Sequence, residues 1–453
     1  MIILKVKKLR KFQNNSFNNV HCSVISWQLL NTKISQLNTI FMSKIIPFKA
    51  VRPTPDKIGL VTCRNYDDYS QAELASWLNF NPYSFLHVIN PAFVHSQKIT
   101  LDKRFKGVAL KYQDFKNDNI FLQEDIAVFY LYRIQTKNNT FIGIVAGTSI
   151  EDYKKNIIKK HEDTLQYRVE LFKDYLHQTS FNTEPVLITY PDNLEINTWI
   201  LEKQKQQPIY NFSTTNKEKH TLWKVDSDTE ITWLQTQFEK IPELYIADGH
   251  HRSASAELLF DENKHLGSEN LNYFMSFLIA ESNVKIFEFN RIIRDLNGNN
   301  KEDFLKKLAK NFIIKIKEQE IWKPQSKFEF GMYLDGNFYA LYYKLDSNVN
   351  KNQNDKNTIL KNLDAQILYD KVLQPILGIE DLRNDERIEY IPGKQSILTI
   401  KELVDEGEFE VGFMLFPSDI SEIKALADNN LIMPPKSTYI EPKFRSGLLV
   451  YEL

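Results

Sequence analysis

The chain has 453 residues, 42% of them hydrophobic, with 30 Phe and 21 Tyr, which is apolar mass enough for two or three packed domains and too much for a disordered chain. Its 57 basic residues against 58 acidic ones leave a net charge of −1, which excludes the strong positive field expected of a nucleic-acid or anionic-membrane binder. Two cysteines, Cys22 and Cys63, exclude a disulfide framework or a cysteine-built zinc site and fit the expectation of a reducing cytoplasm.

Residues 1–41 stand apart. They carry Lys5, Lys7, Lys8, Arg10, Lys11 and Lys33, no Asp or Glu, and no sustained period. A targeting peptide is one reading. The preferred one is translated upstream sequence with Met42 as the start, because the strand-like "MSKIIPFKAVRP" begins there at once. No apolar run in the chain approaches the ~20 residues of a spanning helix.

From Met42 onward the elements alternate irregularly. "AVFYLYRIQ" (127–135) and "TFIGIVAGTSI" (140–150) predict a hairpin across "TKNN", and 151–176 predicts one long helix. "EPVLITYP" (184–191) predicts a strand, 203–219 a polar loop and "TEITWLQTQFEKI" (229–241) a helix. "ELYIA" (243–247) predicts a strand ending at Asp248. Residues 272–282 and 284–295 predict a second strand pair, 301–312 an amphipathic helix, and 328–345 a hairpin turning at Asp335-Gly336. The polar composition of residues 346–358 predicts a mobile insertion; 364–379 and 420–429 predict helices, and a proline-punctuated loop is expected to lead to a last strand. These hairpins predict an α+β fold with mixed or antiparallel sheets and flanking helices, divided into an N-terminal region (42–290) and a C-terminal region (291–453).

The chemistry concentrates in "YIADGHHRSASAELLF" (245–260). A β-prone run meets a helical one there, so Asp248–His251 occupy a strand-to-helix turn. Gly249 permits a left-handed backbone. The helix start offers free N–H groups and partial positive charge to an anion. Arg252 adds a planar double donor for phosphate or carboxylate, and Ser253 a cap or a further contact. Asp248 suits a base or a Mg²⁺ ligand, and His250 and His251 suit proton transfer or charge stabilisation. The alternative is a capped helix whose His251 and Arg252 face water. Neither GxxxxGK[ST] nor HExxH occurs, so the P-loop and the zinc-protease readings fail.

Two further stretches join it. "KKHEDT" (159–164) places His161 and Glu162 among lysines, with a solvated helix face as the alternative. "PPKSTYIEPKFRS" (434–446) gathers Lys436, Ser437, Thr438, Lys443 and Arg445 on a backbone that proline stiffens, which lessens the ordering cost of clamping a ligand. Arg52, in "FKAVRPTP", is a weaker candidate of the same kind.

"FKAVRPTP", "NPYSFLHVINP", "KKHEDT", "YIADGHHRSASA", "LGIEDLRNDERIEYIPG" and "MPPKSTYIEPKFRSG", in this order, resemble a bacterial family of proteins known only as a domain of unknown function. The resemblance runs from about Met42 to the C-terminus. "CRNYDDYS" (63–70) departs from the family's proline-containing run. The Asp-Gly-His-His-Arg core is also similar to the signature of the ParB/sulfiredoxin-like superfamily, which includes free serine kinases. That likeness implies nucleotide phosphate and substrate at the turn and Glu162 as base. His250 stands where sulfiredoxins carry their cysteine, so sulfinic-acid reduction lacks its thiol.

The expected function is phosphoryl transfer on a small hydroxy amino acid or its phosphate, free L-serine or O-phosphoserine, with kinase and phosphatase directions both open. Asp248, His250, His251 and Glu162 are the expected catalytic residues. Gly249, Arg252, Ser253, His161, Lys436, Ser437, Thr438, Arg445 and Arg52 are expected to hold phosphate or substrate. Asp248 would hold Mg²⁺, and ATP or ADP would be the donor of a kinase. A non-catalytic sensor of a phosphorylated ligand is the first alternative and a ParB-like nucleic-acid protein the second.

Overall fold

The computed structural model describes residues 43–89, 100–318, 320–345 and 356–453. The basic leader, the end of "NPYSFLHVINP" and most of the polar insertion lie outside them. The insertion's last residues open a short helix, Lys356–Lys361.

The main sheet has nine strands. In chain order they are β1 (Ile45–Ile46), β2 (Phe129–Gln135), β3 (Thr140–Ser149), β4 (Ile158–Lys159), β5 (Val186–Tyr190), β6 (Tyr210–Ser213), β7 (Lys219–Val225), β8 (Leu244–Asp248) and β9 (Tyr273–Ala280). Their spatial order is β4-β8-β5-β9-β3-β2-β7-β6, with β1 beside β3. The β4–β8 and β5–β9 pairs are parallel and the others antiparallel, so the sheet is mixed. Alternation sends Phe129, Leu131, Ile144 and Ala146 into one apolar cluster and Tyr130, Tyr132, Ile134 and Val145 into another on the opposite face. Both faces are covered, which is why these strands read as nearly continuous apolar runs.

The second sheet has seven strands: β10 (Lys285–Ile293), β11 (Phe312–Lys317), β12 (Glu329–Leu334), β13 (Asn337–Tyr343), β14 (Ile388–Pro392), β15 (Val411–Met414) and β16 (Thr438–Glu441). It is antiparallel throughout, in the order β11-β13-β12-β15-β10-β14, with β16 against the first half of β10. Asp335 and Gly336, both at positive φ, make the β12–β13 turn as expected. The architecture is α+β, with mixed and antiparallel sheets and flanking helices.

Three expectations fail for physical reasons. The long helix over 151–176 breaks into Ile150–Lys154, strand β4 and helix α1 (Gln166–Thr179). Asn156 takes a left-handed φ of 59° and ends the first piece. The buried Ile157 and Ile158 then enter the sheet. The two runs at 272–282 and 284–295 do not pair. β9 fills a slot between β5 and β3, and a turn at Glu281–Asn283 carries β10 into the other sheet. The polar stretch 203–219 is partly strand, because β6 finds a partner in β7.

The chain end returns to the first sheet's side. The Val51 and Val450 backbones exchange hydrogen bonds at 3.0 and 2.8 Å, and Tyr451 pairs with Asn182. No described helix is long and apolar enough to cross a membrane.

Asp364, on the helix Asp364–Leu368 beside the second sheet, is buried and accepts a hydrogen bond from the Phe328 N–H at 3.0 Å. Burial pushes its carboxyl up from 3.8 to about 7 although that N–H and Lys327 favour the anion. A carboxyl raised in the folded state contributes most at low pH and loses that contribution as pH climbs from about 4 to 7. Asp364→Asn keeps the acceptor and cannot ionise. Relative to wild type it should therefore gain roughly 2–3 kcal/mol in urea denaturation between pH 5 and pH 8.

Candidate functional site

The parallel strands β4 and β8 end side by side, with Ile158 opposite Leu244 and Lys159 opposite Tyr245. β4 runs into the loop His161–Thr164, and β8 turns at Gly249 into helix α2 (His250–Asn263). The loops that follow these two parallel strands therefore start next to each other. Gly249 sits at φ 101° and no side chain caps the helix start.

The imidazoles lie on the inside of this turn. His250 is 3% exposed, and its Nε2 faces the His161 backbone N–H at 3.5 Å. That leaves Nδ1–H for the Glu162 carboxylate, 3.4 Å away. The His161 ring is fully buried and edge-on to His250, with centroids 4.5 Å apart. Neither of its ring nitrogens has a partner in hydrogen-bond geometry. The Ile246 carbonyl favours the protonated ring without reaching that geometry. Burial first, and the His250 ring second, push the His161 pKa down to about 3. Burial works against ionised Glu162, but His250 beside it prevails and holds the carboxyl near 2. His251 accepts from the Leu165 N–H at 3.1 Å through Nε2, and burial followed by Arg168 lowers its pKa.

Asp248 is clamped. Lys443 Nζ lies 3.1 Å from one carboxylate oxygen and Arg252 Nη2 2.8 Å from the other. Burial opposes its charge, yet these two cations hold the carboxyl far below the usual range. Arg252 also reaches Glu184 at 3.3 Å, and Glu184 accepts from the Ser446 hydroxyl at 3.1 Å. The loop 433–446 thus closes on the turn through Lys443 and Ser446, and the Met433 N–H donates to the His161 carbonyl at 2.8 Å.

The turn therefore brings together His161, Glu162, Asp248, Gly249, His250, His251 and Arg252. The remaining candidates are engaged elsewhere. Ser253 is buried and donates to the His250 carbonyl within its own helix. Lys436 lies over the Phe289 ring, Ser437 donates to the Pro434 carbonyl, and Thr438 begins β16. Arg445 is buried against the Thr62 carbonyl and hydroxyl, and Arg52 pairs with Glu124 and Tyr210. "KKHEDT" is no solvated helix face. Glu184 escaped the sequence reading, since a lone Glu before a strand carries no signal of its partner 68 positions away.

Among the described groups of metal-ligand type, His161, Glu162 and His250 have ligand spacing, and Asp248 is outside the set. A cavity of about 480 Å³ opens beside them, walled by Tyr153, Lys160, Glu162, Gln166 and His250. A second, mainly apolar cavity of about 270 Å³ lies across Arg252 and Glu184. Gly249→Ala forces an L-residue to φ 101° and sets a Cβ 2.8 Å from the Arg252 guanidinium. That flexible end can swing away, so the backbone strain dominates. The substitution should cost about 1–3 kcal/mol in thermal or urea unfolding and release Arg252 from Asp248.

No curated protein matches the chain. Solved structures similar to it include a free serine kinase in complex with AMP, 14% identical over 69% of this chain and 91% of that one, at a TM-score of 0.33. Others are a conserved hypothetical protein from Pyrococcus furiosus (13%, 66% and 91%, 0.33) and C-terminally truncated SbnI from Staphylococcus aureus (14%, 66% and 82%, 0.34). Likeness this distant carries no argument about chemistry. Residues 45–366 match the model described as a protein of unknown function, DUF1015, and the chain belongs to that family.

Proposed function

We propose that the protein is a phosphoryl-transfer enzyme acting on a small hydroxy amino acid or its phosphate, with L-serine and O-phosphoserine as the first substrates to test. The observation that carries this is the half-buried Glu162. One of its oxygens is pinned by His250 at 3.4 Å, and the residue lines the 480 Å³ cavity. No described residue donates a hydrogen bond to its other oxygen, which is available to a substrate hydroxyl. An ionised carboxylate beside an uncapped helix start pairs a base with an anion cradle, two of the three things phosphoryl transfer requires, and Arg252 and Lys443 are the cations near the turn.

In this reading Glu162 takes the proton of the attacking hydroxyl or water. His250 is a positioning residue that holds Glu162. The first N–H groups of α2, at His250, His251 and Arg252, face the transferred phosphoryl group. Gly249 lets the backbone approach it. Asp248 orients Lys443 and Arg252, and meets Mg²⁺ only if one of those cations releases it. Acidic Asp163 and Glu257, on the cavity wall with Glu162, suit a substrate ammonium. ATP or ADP is the donor in the kinase direction. Kinship with the ParB/sulfiredoxin-like group and a division near residue 290 belong to the same proposal. The closed Asp248 clamp favours one second reading, a sensor that binds a phosphorylated ligand without turnover.

The test is purified protein with Mg²⁺ and either ATP or ADP plus L-serine, or O-phosphoserine alone, with products separated by chromatography. Turnover should fall 10²–10⁴-fold in Glu162→Gln, with the melting temperature retained. Turnover unchanged in that variant removes Glu162 as base. Thermal stabilisation by these ligands without any product establishes the sensor instead.

A further inference from the structure

We infer that His161, Glu162 and His250 form a binding site for a divalent transition metal of the zinc class. The buried, unpartnered imidazole of His161 points to it. Its ring is 0% exposed and both ring nitrogens lack a partner, an arrangement that buried polar groups avoid unless a ligand completes it. One nitrogen from each histidine and one oxygen of Glu162 all lie within 4.8 Å of one another. Ligand atoms about 2.0–2.1 Å from a tetrahedral Zn²⁺ stand roughly 3.4 Å apart. The His250 Nδ1 to Glu162 Oε2 separation is already 3.4 Å, so this pair has that spacing without moving.

The frame is stiff enough to hold such a site. His161 and Glu162 follow β4 after one residue (Lys160), His250 follows β8 after one glycine, and these two strands are hydrogen-bonded in parallel. The Met433 N–H fixes the His161 carbonyl from the other side. Binding at His250 Nδ1 leaves that ring's proton on Nε2 and so opens the long 3.5 Å contact to the His161 N–H. Two imidazoles and a carboxylate are borderline donors that suit Zn²⁺, Co²⁺ or Fe²⁺ and not Mg²⁺ or Ca²⁺, which take oxygen. Three protein ligands leave a fourth position, and two of the three, Glu162 and His250, line the 480 Å³ cavity.

This site goes beyond phosphoryl transfer, shares Glu162 with that reading, and is tested by a separate measurement. If Glu162 is the base, metal and base roles exclude each other, and Zn²⁺ inhibits turnover.

The experiment uses the untagged full chain, stripped with chelator and dialysed. Zn²⁺ alone is titrated in competition with a chromophoric chelator, and Co²⁺ alone is followed by its visible d–d absorption. One ion per chain, an intense four- or five-coordinate Co²⁺ spectrum, and at least tenfold weaker binding by Glu162→Gln and His161→Asn are expected. Circular dichroism shows that each variant is folded, and the half-buried Glu162 serves if His161→Asn is not. Absence of bound ion, a six-coordinate Co²⁺ spectrum, undiminished binding by folded Glu162→Gln, or displacement of Zn²⁺ by equimolar Mg²⁺ overturns the site. Because the readout is metal alone, failure here leaves the transferase assay untouched, and the reverse holds.

Discussion

The carboxylate of Asp248 is the point on which the rest of the site is hung. It ends β8, receives Arg252 from the first turn of the helix that follows, and receives Lys443 from a loop almost two hundred residues further on. Removing a partly buried ion from such a network leaves its partners uncompensated, so the three groups hold one another in place. Arg252 passes the constraint to Glu184, and Glu184 passes it to Ser446. One short turn thereby fixes the chain end against the main sheet.

The same turn sorts its histidines. A glycine at φ 101° rotates the first helical turn so that His250 points inward against Glu162 and His161, while His251 stays half-buried and is held by the Leu165 N–H. Charge is divided across the turn. Asp248 is saturated with cations, and Glu162 has the imidazoles of His250 and His161 beside it. Two carboxylates near one strand end thus have different capacities. The first organises its neighbours, and the second retains an oxygen for something from outside.

Local pattern carried much of the fold. The β2–β3 hairpin, the Asp335-Gly336 turn and the helix at Lys301–Leu308 follow from alternation, turn chemistry and helical period, which act over a few residues. The long helix expected at 151–176 failed because Ile157 and Ile158 serve a sheet as well as they would a helix face. Choosing between them required the neighbouring β8, nearly ninety positions away. The runs that became β9 and β10 looked alike and adjacent, and only the slot between β5 and β3 separated them.

By itself the sequence determined that charge and imidazole gather at a strand-to-helix turn, and that Gly249 permits a backbone conformation other residues avoid there. Those are properties of neighbouring residues. Tertiary structure alone decided that Glu162 meets His250, that Lys443 and not Lys436 or Arg445 reaches Asp248, and that Glu184 matters at all. Arg445, Lys436 and Lys443 carry the same charge in the same loop, so composition cannot rank them. Their rank is set by the path of the backbone between Met433 and Ser446, which is tied to His161 at one end and to β10 through β16, and that path depends on long-range packing.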